Sequence, residues 1–241
     1  TFWGQELSST KQIKEDVGVV FDGINFYETL TPAKVGKIAG AAYKQWDGHL
    51  FQDYLKRFQL PADKEIKSLS KGMKMKLCIA VALSHNPKLL ILDEATSGLD
   101  PVMRRQVWSL ILQDVAERGT TVLVSSHNLR ELEDVCDHVG VMSRGKLLLE
   151  HSLSELQDYT VKLQLAFEGT ELPALPQEIK VLHHAQTGRV HTLICRGSAE
   201  ELEQQLAALH PIFIDAVPLS LEEIFIYELG GEDYAIRDIV L

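Results

Sequence analysis

Two short apolar runs in the middle of the chain each end in polar residues. The run Leu89–Leu92 is followed by the acidic pair Asp93 and Glu94. The run within Thr120–His127 is followed by a polar tip that carries His127. Unbroken apolar runs of this length are typical of strands that are buried on both faces of a parallel sheet. Because the carboxyl ends of parallel strands share one edge, where ligands bind, we predict that the carboxylates and the imidazole meet there.

A predicted helix follows the short segment Leu69–Met73. Apolar residues form the body of Lys74–Pro87, and the proline marks its end, so the amino terminus of the helix lies at Ser70 and Gly72. Free backbone amides and the helix dipole favour an anion at such an end. Taken alone, the segment also fits an ordinary capped helix with basic residues that face solvent.

The segment from Phe26 to Leu60 is rich in aromatic and helix-forming residues. Tyr54 and Phe58 are four positions apart, so they share one face of a helix. An aromatic face of this kind is more often core than interface. We therefore assign none of these aromatic residues to partner binding.

The pattern of apolar and polar positions changes near residues 152–160. Ser152 and Glu155 have the spacing of a capping box for a short helix there. Beyond it we predict three strands, an amphipathic helix with a second capping box, a strand and a closing helix: Val161–Phe167, Lys180–Ala185, Arg189–Arg196, Ser198–Leu209, Ile212–Val217 and Ser220–Ile226. Adjacent histidines on a strand point to opposite faces and rarely share a metal ion. We therefore predict that His183, His184 and His191 are surface residues.

Composition narrows the possible classes of protein. At 241 residues the chain can bury one good core and a small second one. A formal net charge of −10, with scattered basic residues, argues against a nucleic-acid surface. No apolar run approaches the roughly 18 residues of a membrane span. The widely spaced Cys78, Cys136 and Cys195 predict free or buried thiols in a reducing compartment, and neither a metal site nor a disulfide set.

Four elements in order, LSKGM, LLILDEAT, SGLD and SSH, resemble those of the nucleotide-binding subunit of an ABC transporter. The resemblance implies an α/β fold with a P-loop NTPase-like ABC ATPase core at residues 1–159. Within this core, a helical subdomain at about 24–85 would carry the signature helix. Residues 160–241 would form a small α+β accessory domain, which resembles the carboxyl-terminal extension of ABC-2-type exporter ATPases.

The resemblance also implies roles for residues at the predicted sheet edge. Asp93 matches the Walker B aspartate and would hold Mg²⁺, which prefers hard oxygen ligands. Glu94 would be the base that polarises the attacking water. His127 matches the switch histidine that contacts the γ-phosphate of ATP.

Four further residues are placed at the nucleotide by the same resemblance. Ser70 and Gly72 lie in LSKGM, which resembles the signature LSGGQ and would bind the γ-phosphate held mainly by an opposing subunit. Asp100 matches the D-loop and would lie at the dimer seam, and its segment also fits a turn that opens a helix over Val102–Ala116. Asp22 stands where the family has the Q-loop glutamine and would reach magnesium or water.

A hydrolase of this kind needs a Gly-rich loop for phosphates, with a Lys and a Ser or Thr on magnesium. The near match Gly140–Leu147 ends in a leucine, which cannot ligate a metal, and its flanks predict a hairpin. Thr1–Leu7 resembles the strand and turn shortly before the strand in Val17–Asp22. We therefore expect the phosphate loop to precede Thr1, in an amino-terminally incomplete sequence.

The expected function is ATP hydrolysis that drives export of an unknown substrate through a separate transmembrane permease. The expected cofactors are ATP and Mg²⁺, and the expected partners are the permease and a second ATPase subunit, identical or different. The expected location is the cytoplasmic face of the cell membrane. Two alternatives stay open: an inactive regulatory ABC subunit that lacks the phosphate loop, and a soluble ABC ATPase without a transport role.

Overall fold

The computed structural model describes residues 15–22, 26–143 and 145–229. Its contacts divide the chain into two compact units, the first up to His127 and the second from Asn128. The predicted domain boundary at 159/160 falls later in the chain. The predicted strand and turn in Thr1–Leu7 lie outside the described residues.

The first unit contains a parallel sheet. Its described strands are β1 (Val17–Val20), β2 (Leu89–Asp93) and β3 (Thr121–Ser125), in the order β1-β2-β3. The register pairs Asp93 with Ser125. The carboxyl ends of β2 and β3 therefore meet at one edge, as the sequence predicts.

The prediction that β2 and β3 are buried on both faces is wrong for the described structure. In β2 only the face of Leu90 and Leu92 is fully buried. In β3 the side chain of Leu123 is 60% exposed. The reason is that β3 is the outer strand of the described sheet. Among the described elements it packs mainly against β2, so its side chains are less covered than those of β2.

Four α-helices complete the described part of the first unit, each opened by a side chain that accepts a hydrogen bond from a first-turn amide. In chain order they are α1 (Pro32–Ala42), α2 (Gly48–Arg57), α3 (Lys71–Ser84) and α4 (Pro101–Arg118), with caps Thr31, Asp47, Ser70 and Asp100. A short 3-10 turn, Ile66–Ser68, precedes α3. Such caps satisfy amides that the helix itself leaves unpaired. The predicted helices in 74–87 and 102–116 are confirmed, each with slightly different ends.

Three aromatic residues of the helical segment lie in the core, whereas Tyr27 is 82% exposed. Phe51, Tyr54 and Phe58 are each less than 5% exposed. The rings of Tyr54 and Phe58 lie 6.3 Å apart, one helical turn from each other. The prediction that this face is core is therefore confirmed.

Close packing between α1 and α2 makes Gly36 a sensitive position. A Cβ at Gly36 would lie 2.5 Å from Cε1 of the buried Phe51 ring. We expect Gly36→Ala to lower the free energy of unfolding, because overpacking costs about 1–3 kcal/mol and outweighs the roughly 1 kcal/mol that alanine gains over glycine in a helix. Urea denaturation measures the difference. Gly48→Ala is the control, because its Cβ would lie 3.6 Å from Trp46, at ordinary contact distance, and an equal loss there would contradict the packing argument.

The second unit combines a hairpin, a four-stranded sheet and four described helices. Its strands are β4 (His138–Ser143), β5 (Lys146–Ser152), β6 (Thr160–Ala166), β7 (Lys180–Thr187), β8 (Val190–Arg196) and β9 (Phe213–Val217). Its helices are α5 (Leu129–Glu133), α6 (Leu153–Tyr159), α7 (Ala199–Ala207) and α8 (Leu221–Leu229). β4 and β5 pair antiparallel, and the larger sheet is antiparallel in the order β7-β8-β6-β9. The predicted hairpin, later strands and helices are therefore confirmed, as is the capping box of Ser152 and Glu155.

The prediction that His191 is a surface residue is wrong. His191 is 1% exposed, and its Nδ1 lies 3.1 Å from Nε2 of the exposed His184. The register of β8 explains this, because His191 alternates in phase with the buried Leu193 and Cys195. His183 and His184 are exposed, as predicted.

Cys78, Cys136 and Cys195 all lie within the described residues and form no disulfide there. Among the described residues, no helix is both long enough and apolar enough to cross a membrane.

Candidate functional site

The carboxyl edge of the parallel sheet carries a linked pair of side chains from two strands. Asp93 is the last residue of β2, and its Oδ1 accepts a hydrogen bond of 2.5 Å from Ser125 Oγ at the end of β3. The hydroxyl fixes the carboxylate orientation, because the strand register already places the two residues opposite each other. The sequence reasoning did not single out Ser125. The available signal was a short polar residue at the matching end of the neighbouring strand.

Glu94 leaves the strand in a left-handed conformation, with φ of 50°. Its amide donates to the carbonyl of Ser125 at 3.1 Å, which ties the turn to the end of β3. A non-glycine residue rarely adopts this conformation, which costs about 1–2 kcal/mol. Such strain persists where the surrounding structure holds it, often at functional sites.

The structure brings Glu94 and His127 together. One carboxylate oxygen, Oε1, accepts from the His127 amide at 3.0 Å and lies 2.8 Å from the ring Nδ1. A carboxylate can only accept, so Nδ1 carries the hydrogen of this contact. In the neutral ring Nε2 is then an acceptor, and only a protonated ring can also donate from Nε2. The Glu94 side chain is 27% exposed and that of His127 is 78% exposed, so both can reach solvent or a ligand.

The amino terminus of α3 carries the predicted signature residues. Ser70 is the N-cap, and its Oγ accepts from the amide of Met73 at 3.2 Å. Gly72 lies against Leu99, where a Cβ would come within 3.3 Å of that leucine side chain. The first turn of α3 therefore packs closely on the turn that follows Glu94.

Asp22 forms an ion pair with Lys71, which stands where the signature LSGGQ has a glycine. Nζ of Lys71 lies 3.6 Å from Oδ1 of Asp22, just beyond the end of β1. Both side chains are about half exposed, so the pair contributes about 0–1 kcal/mol and separates easily. The side chain of Lys71 also lies against Gly98, which has a φ of 74° that suits glycine. Lys71 therefore contacts both Asp22 and the turn that contains Gly98.

Asp100 caps α4 in its own chain. Its Oδ1 accepts from the amides of Val102 and Met103, each at 3.0 Å. This confirms the interpretation of the segment as a turn that opens a helix. A place at a dimer seam stays a prediction.

A buried lysine connects α3 with its neighbouring helices. Lys76 is 3% exposed; its Nζ donates to Oε1 of Gln106 at 3.5 Å and lies 5.4 Å from the ring centre of Phe58. Burial lowers the pKa of the Lys76 amine, although the charge of Asp100 opposes this shift. The contacts hold α3 against α4, and therefore hold the signature end close to the turn that follows Glu94.

The candidate residues thus form two groups. Asp93, Glu94 and His127 lie at the sheet edge with Ser125, and the others surround the first turn of α3. Hydrogen-bonded turns link the groups, since Ser97 N donates to Glu94 O at 3.0 Å. A parallel sheet edge with two carboxylates and an imidazole, joined to a capped helix end, is the arrangement expected of an ABC-type ATPase.

Comparisons with known proteins agree with this class. A family model described as ABC transporter matches residues 1–97. The ABC transporter ATP-binding protein YtrB of Bacillus subtilis (strain 168) is 31% identical over 232 residues, which cover 96% of this chain and 79% of the relative. The chain therefore belongs to the family of ABC transporter ATP-binding proteins, which are generally ATP-hydrolysing.

Two other relatives have names that include a transported compound. The bacitracin transport ATP-binding protein BcrA of Bacillus licheniformis is 31% identical, over 93% of this chain and 76% of the relative. The Nod factor export ATP-binding protein I of Rhizobium leguminosarum bv. viciae is 33% identical, over 73% of this chain and 57% of the relative.

Solved structures share the fold. An ATP-binding subunit of an ABC transporter is 25% identical with a TM-score of 0.56, over 60% of this chain and 62% of that one. CbiO1 of Clostridium perfringens, part of the transporter complex cbiONQ, is 29% identical with a TM-score of 0.50, over 60% of each chain. The ATP-binding cassette MJ0796, a dimer bound to ADP and Pi, is 24% identical with a TM-score of 0.53, over 62% of this chain and 68% of that one. This chain thus spans about three fifths to two thirds of these solved chains.

Proposed function

We propose that this ATP-binding protein hydrolyses ATP to drive export through a separate membrane permease, as one of two ATPase subunits at the cytoplasmic face of the membrane. The observation that carries the proposal is the Glu94–His127 contact beside Asp93 at the edge of a parallel sheet. The export role is supported by the name of the Nod factor relative, and the dimer by the solved dimer of MJ0796.

Asp93 suits the proposed Mg²⁺ site. Its carboxylate supplies a hard oxygen, and the hydroxyl of Ser125 fixes its orientation. An ion held by Asp93 would take its remaining ligands from nucleotide and water. Bound there, Mg²⁺ would neutralise phosphate charge.

Glu94 suits the role of general base. Its side chain is partly exposed, and the amide and ring of His127 hold one of its oxygens. A base held in this way accepts a proton from a water molecule without first reorganising. The imidazole fits a γ-phosphate sensor in its protonated form, because Nδ1 donates to Glu94 and Nε2 must then donate to the phosphate.

Ser70 and Gly72 would complete the site of the partner subunit. The first turn of α3 presents backbone amides, and the side chain of Ser70 caps that turn. Asp100 would lie at the same seam. This assignment implies two composite sites for each dimer.

The Lys71–Asp22 pair gives two opposite expectations for Asp22. If Asp22 serves magnesium or water directly, Asp22→Asn weakens ATP binding whatever residue stands at 71. If Asp22 mainly restrains Lys71, Asp22→Asn frees the amine and tightens ATP-dependent dimerisation roughly two- to fivefold, within the range of an exposed pair. We expect the second result, because the two groups lie 3.6 Å apart.

A double-mutant cycle separates these outcomes. Asp22→Asn, Lys71→Met and the double variant are compared by the ATP concentration that gives half-maximal dimer in size-exclusion chromatography with light scattering. The gain from Asp22→Asn should vanish in the Lys71→Met background. A loss of equal size in both backgrounds would assign Asp22 to the nucleotide instead.

We also propose the finer organisation given by the sequence: a core to residue 159 with a helical subdomain at about 24–85, followed by an accessory domain from residue 160. The antiparallel sheet of β6–β9 with α7 supports a distinct accessory domain, because it has its own buried cluster around Leu163, Leu193 and Leu206. Residues 128–159 group with that domain in the contacts of this structure.

The proposed function is tested by steady-state ATP hydrolysis of the purified native protein, alone and with its permease in liposomes. We expect Mg²⁺-dependent turnover that the permease increases. Nucleotide binding without turnover in both preparations would favour the inactive regulatory subunit. Turnover that the permease leaves unchanged would favour an ATPase without a transport role.

A further inference from the structure

Lys76 lies in the body of α3, where its charge is costly to bury. Its side chain is 3% exposed, and the hydrogen bond that its Nζ donates to Oε1 of Gln106 is long, at 3.5 Å. The ring of Phe58, with its centre 5.4 Å from Nζ, adds a weak cation–π contact. Lysine is almost never fully buried unless it is paired, and these two contacts offset only part of the cost of removing the ammonium group from water. The charge of Lys76 therefore serves a purpose other than stability.

The acidic residue that interacts electrostatically with Lys76 is Asp100. Burial lowers the pKa of the Lys76 amine, and the charge of Asp100 acts in the opposite direction. The Asp100 carboxylate is held at the start of α4, because its Oδ1 accepts from the amides of Val102 and Met103, each at 3.0 Å. Asp100 and Gln106 are both exposed, whereas the lysine is buried. The charge of Lys76 thus links the body of α3 to an exposed carboxylate that begins α4.

The turn that ends in Asp100 also packs against the first turn of α3. Leu99 is 6% exposed and lies against Gly72, where a Cβ would come within 3.3 Å of the leucine side chain. Lys76 stands four positions after Gly72, so the two residues share one face of α3. α3 therefore holds this turn at two points, by the apolar contact at Gly72 and by the charge of Lys76.

We propose that Lys76 is a positioning residue whose buried charge holds the Asp100 carboxylate in a fixed place relative to the signature end of α3. In the proposed dimer, Ser70, Gly72 and Asp100 all lie at the partner's site, so their relative positions determine how well that site closes. Lys76 is buried and acts through Asp100, without contact to nucleotide. The consequence for the dimer rests on the proposed function.

Lys76→Met, made in the full chain, separates the charge of this residue from its packing. Methionine keeps an unbranched apolar side chain beside the ring of Phe58. The polar groups that lose their partner, on Asp100 and Gln106, are exposed and can bind water instead. We therefore expect the free energy of unfolding, measured in urea, to stay at the wild-type value or to rise. Lys76→Arg keeps the charge, and Lys64→Met is the matched control at an exposed loop position of the same unit.

The nucleotide-free measurement is amide hydrogen exchange at Val102 and Met103, the two amides that donate to Asp100. Lys76→Met should speed exchange there roughly two- to fivefold, the range of an ion pair with one exposed partner. Lys76→Arg should keep wild-type exchange, and Lys64→Met should not alter it. In the Asp100→Asn background the effect of Lys76→Met should disappear, because the carboxylate charge that Lys76 holds is absent.

Two measurements with ATP separate nucleotide binding from dimerisation. The affinity of the monomer for ATP, measured at protein concentrations below those of dimer formation, should be unchanged in Lys76→Met, because the buried amine does not contact nucleotide. The ATP concentration for half-maximal dimer, measured by light scattering, should rise roughly two- to fivefold. Lys76→Arg should return it to the wild-type value.

Unchanged exchange at Val102 and Met103 in Lys76→Met would overturn the proposal, and so would an equal change in the Asp100→Asn background or no recovery with arginine. A loss of unfolding free energy large enough to explain the faster exchange would make Lys76 a structural residue and would also overturn it. So would unchanged dimerisation of Lys76→Met in a protein that dimerises with ATP. If the wild-type chain forms no ATP-dependent dimer, the proposed function fails, and the exchange measurements still decide whether Lys76 positions Asp100.

Discussion

Replacement of Glu94 by glutamine should lower ATP turnover by about 10²–10⁴-fold while ATP binding persists. The amide oxygen of glutamine can accept the two hydrogen bonds that His127 gives to Oε1, so the turn should keep its conformation. An amide cannot take a proton from water, so the chemical step stops after nucleotide has bound. We expect a nucleotide-bound dimer to accumulate. Single-turnover hydrolysis and light scattering with ATP measure the two effects.

Glu178→Gln provides the matched control, because it makes the same chemical change at an exposed position of the second unit. It should leave turnover and oligomeric state at wild-type values. Unchanged turnover in Glu94→Gln would remove this residue from the role of base. A fall in ATP affinity of the same size as the fall in turnover would assign it to binding.

The second large effect is expected at Asp93. Asp93→Asn removes the carboxylate charge proposed to hold Mg²⁺, and the loss of several kcal/mol of charge stabilisation corresponds to roughly a thousandfold or more in rate. The asparagine can still accept from Ser125, so the end of the strand should keep its fold. Turnover across a magnesium titration measures the effect. Asp63→Asn, at an exposed loop position, is the control.

A smaller change at Ser125 tests how the carboxylate is oriented. Ser125→Ala removes the hydroxyl that bonds Asp93 and should raise the magnesium concentration for half-maximal activity about 10–100-fold, with maximal turnover largely retained. An unchanged magnesium dependence in both Ser125→Ala and Asp93→Asn would place the ion elsewhere.

The parts of this fold that depend on local sequence were predictable. The caps at Ser70 and Ser152, the turn at Asp100 and the strand that ends in Asp93 follow from short-range patterns of polar and apolar residues. The same holds for the meeting of Glu94 and His127, because parallel strands deliver their carboxyl ends to one edge.

The parts that depend on tertiary neighbours were not predictable. The exposure of Leu123 depends on which elements cover β3, and a run of apolar residues carries no information on this. The burial of His191 depends on the phase of β8 in its sheet, which the polarity of histidine hides. The ion pair of Lys71 and Asp22 joins residues far apart in the chain, and no periodicity in the sequence reports it.

The left-handed backbone conformation of Glu94 implies a trade-off between catalytic activity and thermal stability. Asparagine tolerates a positive φ better than glutamate does. Glu94→Asn would therefore lower the backbone strain at this position while removing the reactive carboxylate. Selection of this protein for heat resistance alone would therefore enrich molecules that survive heating but no longer turn over ATP. Any engineering campaign on it should score survival and catalysis together from the first round.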